Sequence, residues 1–272
     1  MTVADNRIDR LFAEEKRTHF IPFLTVGDPS LEISFHLVKA LVEAGASLIE
    51  LGVPYSDPLA DGPTIQRASQ RALAAKTTIR DVIRFVGRLR QSGVEIPLVL
   101  FSYYNPVLQY GMDRFFADLQ EQGADGVVIP DLPIEENEPA VSAARARGLH
   151  VISLVAPTSE QRIALIGAKA SGFLYCVSSL GVTGARDSLR DDLVPFLDKV
   201  RASTTVPIAV GFGISTPEQV RQLAPHADGV IVGSAIVQVI ERNLPYLLDR
   251  ERQAEGIANV KTFVQSLVSA LQ

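Results

Sequence analysis

Residues 207–241 read PIAVGFGISTPEQVRQLAPHADGVIVGSAIVQVIE. PIAVGFG and, from Gly229, GVIVGS are short, continuously apolar runs, as expected of strands buried on both faces. Between them, TPEQVRQLA (Thr216 to Ala224) opens with a threonine cap, a proline at the first helical position and a glutamate in the first turn, which together mark a helix start. GSAIVQVIE, from Gly233, then begins a further helix. The stretch is one βα unit and the start of the next.

Working outward, six more runs of the same kind appear: FIPFLTVG from Phe20, SLIELGVP from Ser47, PLVLFSY from Pro97, GVVIPD from Gly126, HVISLVAP from His150 and GFLYCVSS from Gly172. Each is followed by a polar loop and a helical pattern. SFHLVKALVEAG, for example, places Phe35, Val38, Leu41 and Val42 on one side and stops at Gly45. Eight alternating units predict an α/β protein built as a (β/α)8 TIM barrel. An open doubly wound sheet usually has fewer strands and needs a phosphate loop directly after the first, which VGDPS is not. Ile8, Leu11 and Phe12 stand at helical spacing and predict an N-terminal helix covering the far end of the barrel. With no linker or low-complexity tract, the expectation is one barrel domain over residues 1–272 with extra helices.

A chain of 272 residues with 47% hydrophobic residues has ample material for that core. A net charge of −5 lacks the basic bias of a nucleic-acid binder. No apolar run approaches a membrane span, and the charged N-terminus has no signal-peptide core, so neither nucleic acid nor membrane is expected as a partner. The single cysteine, Cys176, excludes an internal disulfide and fits a cytoplasmic protein.

In barrels of this type the loops after the last strands often bind phosphate with the N-terminus of a short helix. Here glycines cluster in GVTG (Gly181 to Gly184), GFG (Gly211 to Gly213) and VGS (Val232 to Ser234), where backbone N–H groups can approach an anion. Any one of them could equally make a tight turn. The four histidines share no metal-ligand spacing, and no lysine lies in or directly after a predicted strand, which leaves no obvious zinc or Schiff-base chemistry. Carboxylates remain. ELGVPYSDPLADGPT, residues 50–64, ends an apolar strand on Glu50 and sets Asp57 and Asp61 in a loop held by Pro54, Pro58 and Pro63. Burial would raise the Glu50 pKa into the range of an acid/base, while Asp61 has no apolar flank and is read as ionised. Glu50 could instead pair with a core arginine, and Asp61 could be a turn residue, as Asp57 is read to be.

ELGVPYSDPLADGPTIQ, with FIPFLTVGDP, SYYNP, DLP and YCVSSLGVTGAR, resembles the tryptophan synthase alpha chain family essentially end to end. That resemblance implies a lyase cleaving indole-3-glycerol phosphate to indole and glyceraldehyde 3-phosphate. It needs no cofactor of its own. The partner is a beta chain carrying pyridoxal phosphate in an alpha2beta2 heterotetramer, to which indole is channelled for tryptophan synthesis. It further implies Glu50 as the acid/base, Asp61 as the group stabilising positive charge on the indole ring, and Tyr175 beside Glu50. Phe23, Leu100 and Phe212 would sandwich the indole, Gly184, Gly213, Gly233 and Ser234 would hold the phosphate, and Thr183 would reach Asp61. The SYYNP and DLP regions and the rest of the Asp61 loop would meet the beta chain. Val53 and Tyr55 stand where many members have isoleucine and phenylalanine, and Leu180 occupies a variable position.

Three other readings are a stand-alone lyase releasing free indole, a non-catalytic subunit sensing a phosphate ligand, and a phosphate-binding barrel acting on a phosphoribosyl amine. The last usually carries aspartates at the ends of strands one and five or a catalytic lysine, where this chain has TVGDP and VAPTS. A regulator would not need both Glu50 and Asp61. The polar, glycine-rich loop SLGVTGARDSLRDD, residues 179–192, is expected to be a lid. Trypsin should then cut at Arg186 or Arg190, and a substrate analogue should protect both; equal cleavage with and without it would count against a lid.

Overall fold

The computed structural model describes residues 6–14, 17–159, 162–177, 192–211 and 213–271. All eight expected strands are present among them: β1 His19–Thr25, β2 Ile49–Gly52, β3 Leu98–Phe101, β4 Gly126–Val128, β5 His150–Val155, β6 Leu174–Val177, β7 Ile208–Gly211 and β8 Gly229–Val232. They pair in parallel in chain order, and β8 returns to β1, closing the barrel.

Because side chains alternate across a strand, each strand divides its residues between two cores. Phe20, Leu24, Ile49, Leu51, Leu98, Leu100, Leu174 and Cys176 face outward and pack under the helices. Ile21, Phe23, Val99, Val128, Ile152, Tyr175, Ala209 and Ile231 point inward and fill the barrel. Glycine is required where inner side chains lie against neighbouring backbone. A Cβ on Gly52 would stand 2.5 Å from the Phe23 ring, and one on Gly211 2.7 Å from the Tyr175 hydroxyl.

The helices follow their local signals. Thr216 caps Pro217–Leu223 by accepting from the Gln219 amide, and the Gln219 side chain completes a capping box. The helix expected from Ser34 starts earlier, at Leu31, because the Ser30 side chain accepts from Ile33 N at 3.2 Å. Ile33, Leu37, Val38 and Leu41 take the core face, while Phe35 sits at its edge under the Arg88 guanidinium. The long interval after β2 holds two helices, Pro63–Ala74 and Ile79–Gln91. Among the described residues no helix is long and apolar enough to cross a membrane.

The N-terminal helix, Arg7–Glu14, closes the end of the barrel where the strands begin. Ile8 is fully buried, Leu11 and Phe12 pack on the inner core, and the Phe12 ring lies 5.0 Å from His19 and 5.9 Å from Phe173. Asn6 ties it down: its Oδ1 accepts from Ile8 N, and its Nδ2 donates to the carbonyls of Asp125 and Gly148, each at 2.8 Å. Asp125 is the hub beneath. Its carboxylate accepts from Arg90 at 2.6 Å, Leu98 N at 2.8 Å and Arg7 at 3.0 Å. The two histidines at strand starts belong to this end, with His150 set 3.0 Å from Asp9.

Asp125→Ala would strand the Leu98 amide and leave the mostly buried Arg90 guanidinium without its carboxylate, so it should cost about 3 kcal/mol of stability. A urea midpoint checks the loss. Turnover per folded molecule should hold, since this face is the one remote from the strand ends where barrel active sites lie.

Candidate active site

At the other end of the barrel, one pocket is lined by Phe23, Glu50, Asp61, Ile65, Phe101, Tyr175, Gly213, Gly233 and Ser234. It opens at the C-terminal ends of the strands, where the βα loops gather.

Glu50 reaches it through strand alternation. Ile49 and Leu51 face outward, which turns Glu50 inward in register with Phe23 on β1 and Val99 on β3, both inner residues. Glu50 is 1% exposed, and its Oε1 has no hydrogen-bond partner among the described residues. Loss of hydration pushes its pKa up to about 8, so the carboxyl is mainly protonated at neutral pH. Tyr175, 4% exposed, comes from β6 by the same rule, and burial together with the Glu50 charge raises its pKa further above the usual phenol range. Cys176, one residue on, lies in the outer layer.

Asp61 arrives on the loop between β2 and the Pro63–Ala74 helix. The sequence gives it no apolar flank, yet it is 7% exposed, and burial moves its pKa up to about 6. A hydrogen bond from the Tyr103 hydroxyl acts in the opposite direction, and at about 6 Asp61 is largely ionised at pH 7. Tyr103 also accepts from Ala60 N at 3.0 Å, and Gln66 Nε2 donates to the Asp61 carbonyl at 2.8 Å, which fixes the loop on both sides of the carboxylate. Asp57 is exposed and takes the Ser56 hydroxyl, in keeping with a turn role.

The wall opposite is glycine-rich. Gly213 follows β7 with φ +83°, a conformation that side chains rarely adopt. Gly233 caps the Ser234–Arg242 helix, and a Cβ added there would stand 3.4 Å from the Phe23 side chain. Ser234 is buried at the first helical position. A helix start with open N–H groups favours an anionic ligand.

One expected wall residue belongs elsewhere. Leu100 pairs with Leu51 and Val127 and sits in the outer core, away from the pocket. Phe101 lines the pocket in its place, its ring edge-on to Phe23 at 5.6 Å. Leu100 was expected from the family resemblance; a shift of one residue along a strand exchanges the two faces, and β3, apolar on both, carries no pattern to correct it. Phe212, Thr183 and Gly184, with the expected lid, lie outside the described residues. Tyr103 and Ile65 were not anticipated. The SYYNP motif gave a signal for Tyr103, but as a surface residue; it is 2% exposed.

The two carboxyl groups load the fold differently with pH. A Glu50 pKa of about 8 in the folded chain lies above its unfolded value near 4.5, so the folded state holds the proton more tightly. Stability from this residue is therefore fully present below about pH 4.5 and is lost as the pH rises toward 8. Glu50→Gln should be more stable than the parent at pH 8, by on the order of a few kcal/mol, with the gap closing toward pH 5. Urea unfolding at the two pH values measures this, and a gap independent of pH would remove burial as the source of the shift.

Comparison with known proteins agrees with this geometry. The family model described as tryptophan synthase alpha chain matches residues 10–272. The tryptophan synthase alpha chain of Geobacillus thermodenitrificans is 55% identical over 256 residues, which is 94% of this chain and 96% of that protein. That of Halalkalibacterium halodurans is 49% identical over 94% of this chain and 96% of its own. Among solved structures, a chain of Mycobacterium tuberculosis tryptophan synthase superposes with a TM-score of 0.86 at 35% identity, covering 98% of each chain. The Legionella pneumophila alpha chain gives 0.86 at 34% identity over the same shares. The closed barrel, the paired carboxyl groups and these matches along nearly the whole length make the chain a member of the tryptophan synthase alpha chain family.

Proposed function

We propose that this pocket cleaves indole-3-glycerol phosphate by a retro-aldol reaction, with Glu50 as acid and base and Asp61 as the fixed negative charge. The chain is a lyase of tryptophan biosynthesis. The observation that carries the site assignment is that two carboxyl groups with different protonation states open onto one pocket whose far wall is a glycine-lined helix start.

The chemistry needs both states. Adding a proton to C3 of the indole ring creates a cation whose charge spreads to the ring nitrogen. Glu50, protonated at neutral pH, can supply that proton, and ionised Asp61 can accept the ring N–H and stabilise the charge. Removal of the proton from the side-chain hydroxyl next to the ring then lets the carbon–carbon bond break. Its electron pair neutralises the ring, giving indole and the aldehyde of glyceraldehyde 3-phosphate. Tyr175 would orient Glu50 and the glycerol chain, Phe23 and Phe101 would flank the indole, and Gly213, Gly233 and Ser234 would hold the phosphate. Thr183, Gly184 and Phe212 complete the reading by family likeness alone.

A beta chain is the expected partner, and the mouth of the pocket suits one. Leu59 is 79% exposed on the Asp61 loop and Leu108 49% exposed nearby in sequence to Tyr103, large apolar surface for residues beside a catalytic loop. Tyr55, against Tyr103 at 5.2 Å and accepting from Asn105 at 3.3 Å, lies on the same loop. An alpha2beta2 assembly in the cytoplasm, with indole channelled to the partner, is the arrangement this implies.

Indole release from indole-3-glycerol phosphate, with and without a beta chain, tests the reading. Activity should be weak alone, rise with the partner, and fall about a hundredfold or more in Glu50→Gln. High turnover without a partner would make this a stand-alone indole producer, and no indole under any condition would overturn the assignment.

A further inference from the structure

Outside the pocket, one ion network joins three segments that each deliver a pocket residue. Arg71, on the Pro63–Ala74 helix, grips Asp28 with two donors, Nε to Oδ1 at 2.7 Å and Nη2 to Oδ2 at 2.9 Å. Its remaining Nη1 donates to Glu241 at 2.7 Å. Arg67, one turn earlier on the same helix, takes Glu241 with two bonds of 2.7 Å. Asp28 is 2% exposed and lies in the loop after β1, which carries Phe23; Glu241 ends the helix that starts at Ser234. The helix bearing both arginines begins two residues after Asp61.

We propose that Arg71 is a positioning residue, which with Asp28, Arg67 and Glu241 fixes the span between the Asp61 carboxylate and the Gly233–Ser234 helix start. The inference rests on reading the pocket as the site of carbon–carbon cleavage. A substrate held at its phosphate by one helix and at its ring by a loop on another reacts only if the two supports keep their separation. The guanidinium suits that task because its planar donors fix direction as well as distance, which a lysine cannot do.

The test uses Arg71→Lys, and Glu241→Gln as a second variant that keeps its shape and breaks only the tie to the Ser234 helix. For each, kcat on indole-3-glycerol phosphate is set against the Kd for glycerol 3-phosphate, which reports the phosphate half alone. The expected result is a loss in kcat of roughly tenfold or more with the Kd changed by less than about threefold. Arg67→Lys, at the more exposed limb, should lose less. Unchanged kcat in a folded variant would overturn the proposal, as would a Kd weakened in step with kcat, since that marks general loosening. Wild type inactive on this substrate would overturn the functional reading and this inference together; active wild type with unaffected variants overturns only the inference.

Discussion

The site depends on holding a carboxyl group inside the barrel, where it is 1% exposed. Glu50 occupies an inner position of β2 between two outward-facing apolar residues, so it cannot swing out of the core without breaking the strand. Its hydration is exchanged for contact with Phe23, Val99 and Tyr175 neighbours, and the raised pKa is the direct result. The rest follows from that placement. Asp61 has to stay ionised close to a group that is not, and the Tyr103 hydroxyl counteracts enough of the burial to achieve this. One fold thus raises two carboxyl groups to different extents, with burial depth and the Tyr103 hydrogen bond setting them apart.

The division of labour between the two ends of the barrel is equally physical. Where the strands begin, Asp125, Arg90 and Asn6 satisfy one another and the backbone, and a helix lies across the opening. Where the strands end, polar groups are left facing a pocket. The first arrangement stabilises the fold, and the second spends stability on chemistry.

Much of this could be read from residues in order. The eight strands announce themselves because parallel strands buried on both faces are uninterrupted apolar runs, and a glutamate inside one of them has no inexpensive structural explanation. Tyr175 turns inward and Cys176 outward by the same alternation along β6. Leu100 was carried over from the family resemblance, and β3, apolar on both faces, offers no polar marker that would have shown Phe101 to be the inward residue. The burial of Asp61 was not legible in its flanks because Tyr103, which contacts it, lies some forty residues along the chain. The Asp28–Arg71–Glu241 network is hidden for the same cause: its members are brought together by closure of β8 onto β1, and in the sequence nothing marks any one of them off from an ordinary charged residue.

The helix across the strand starts has a kinetic meaning as well. With Ile8 and Phe12 stoppering one end and the interior filled by side chains, the pocket is a cul-de-sac. Among the described residues the opening lies at the ends of the strands, on the side of Asp61. A molecule in such a blind-ended pocket is not displaced from behind, so a protein seated over the strand ends would bear on which small molecule departs, and when.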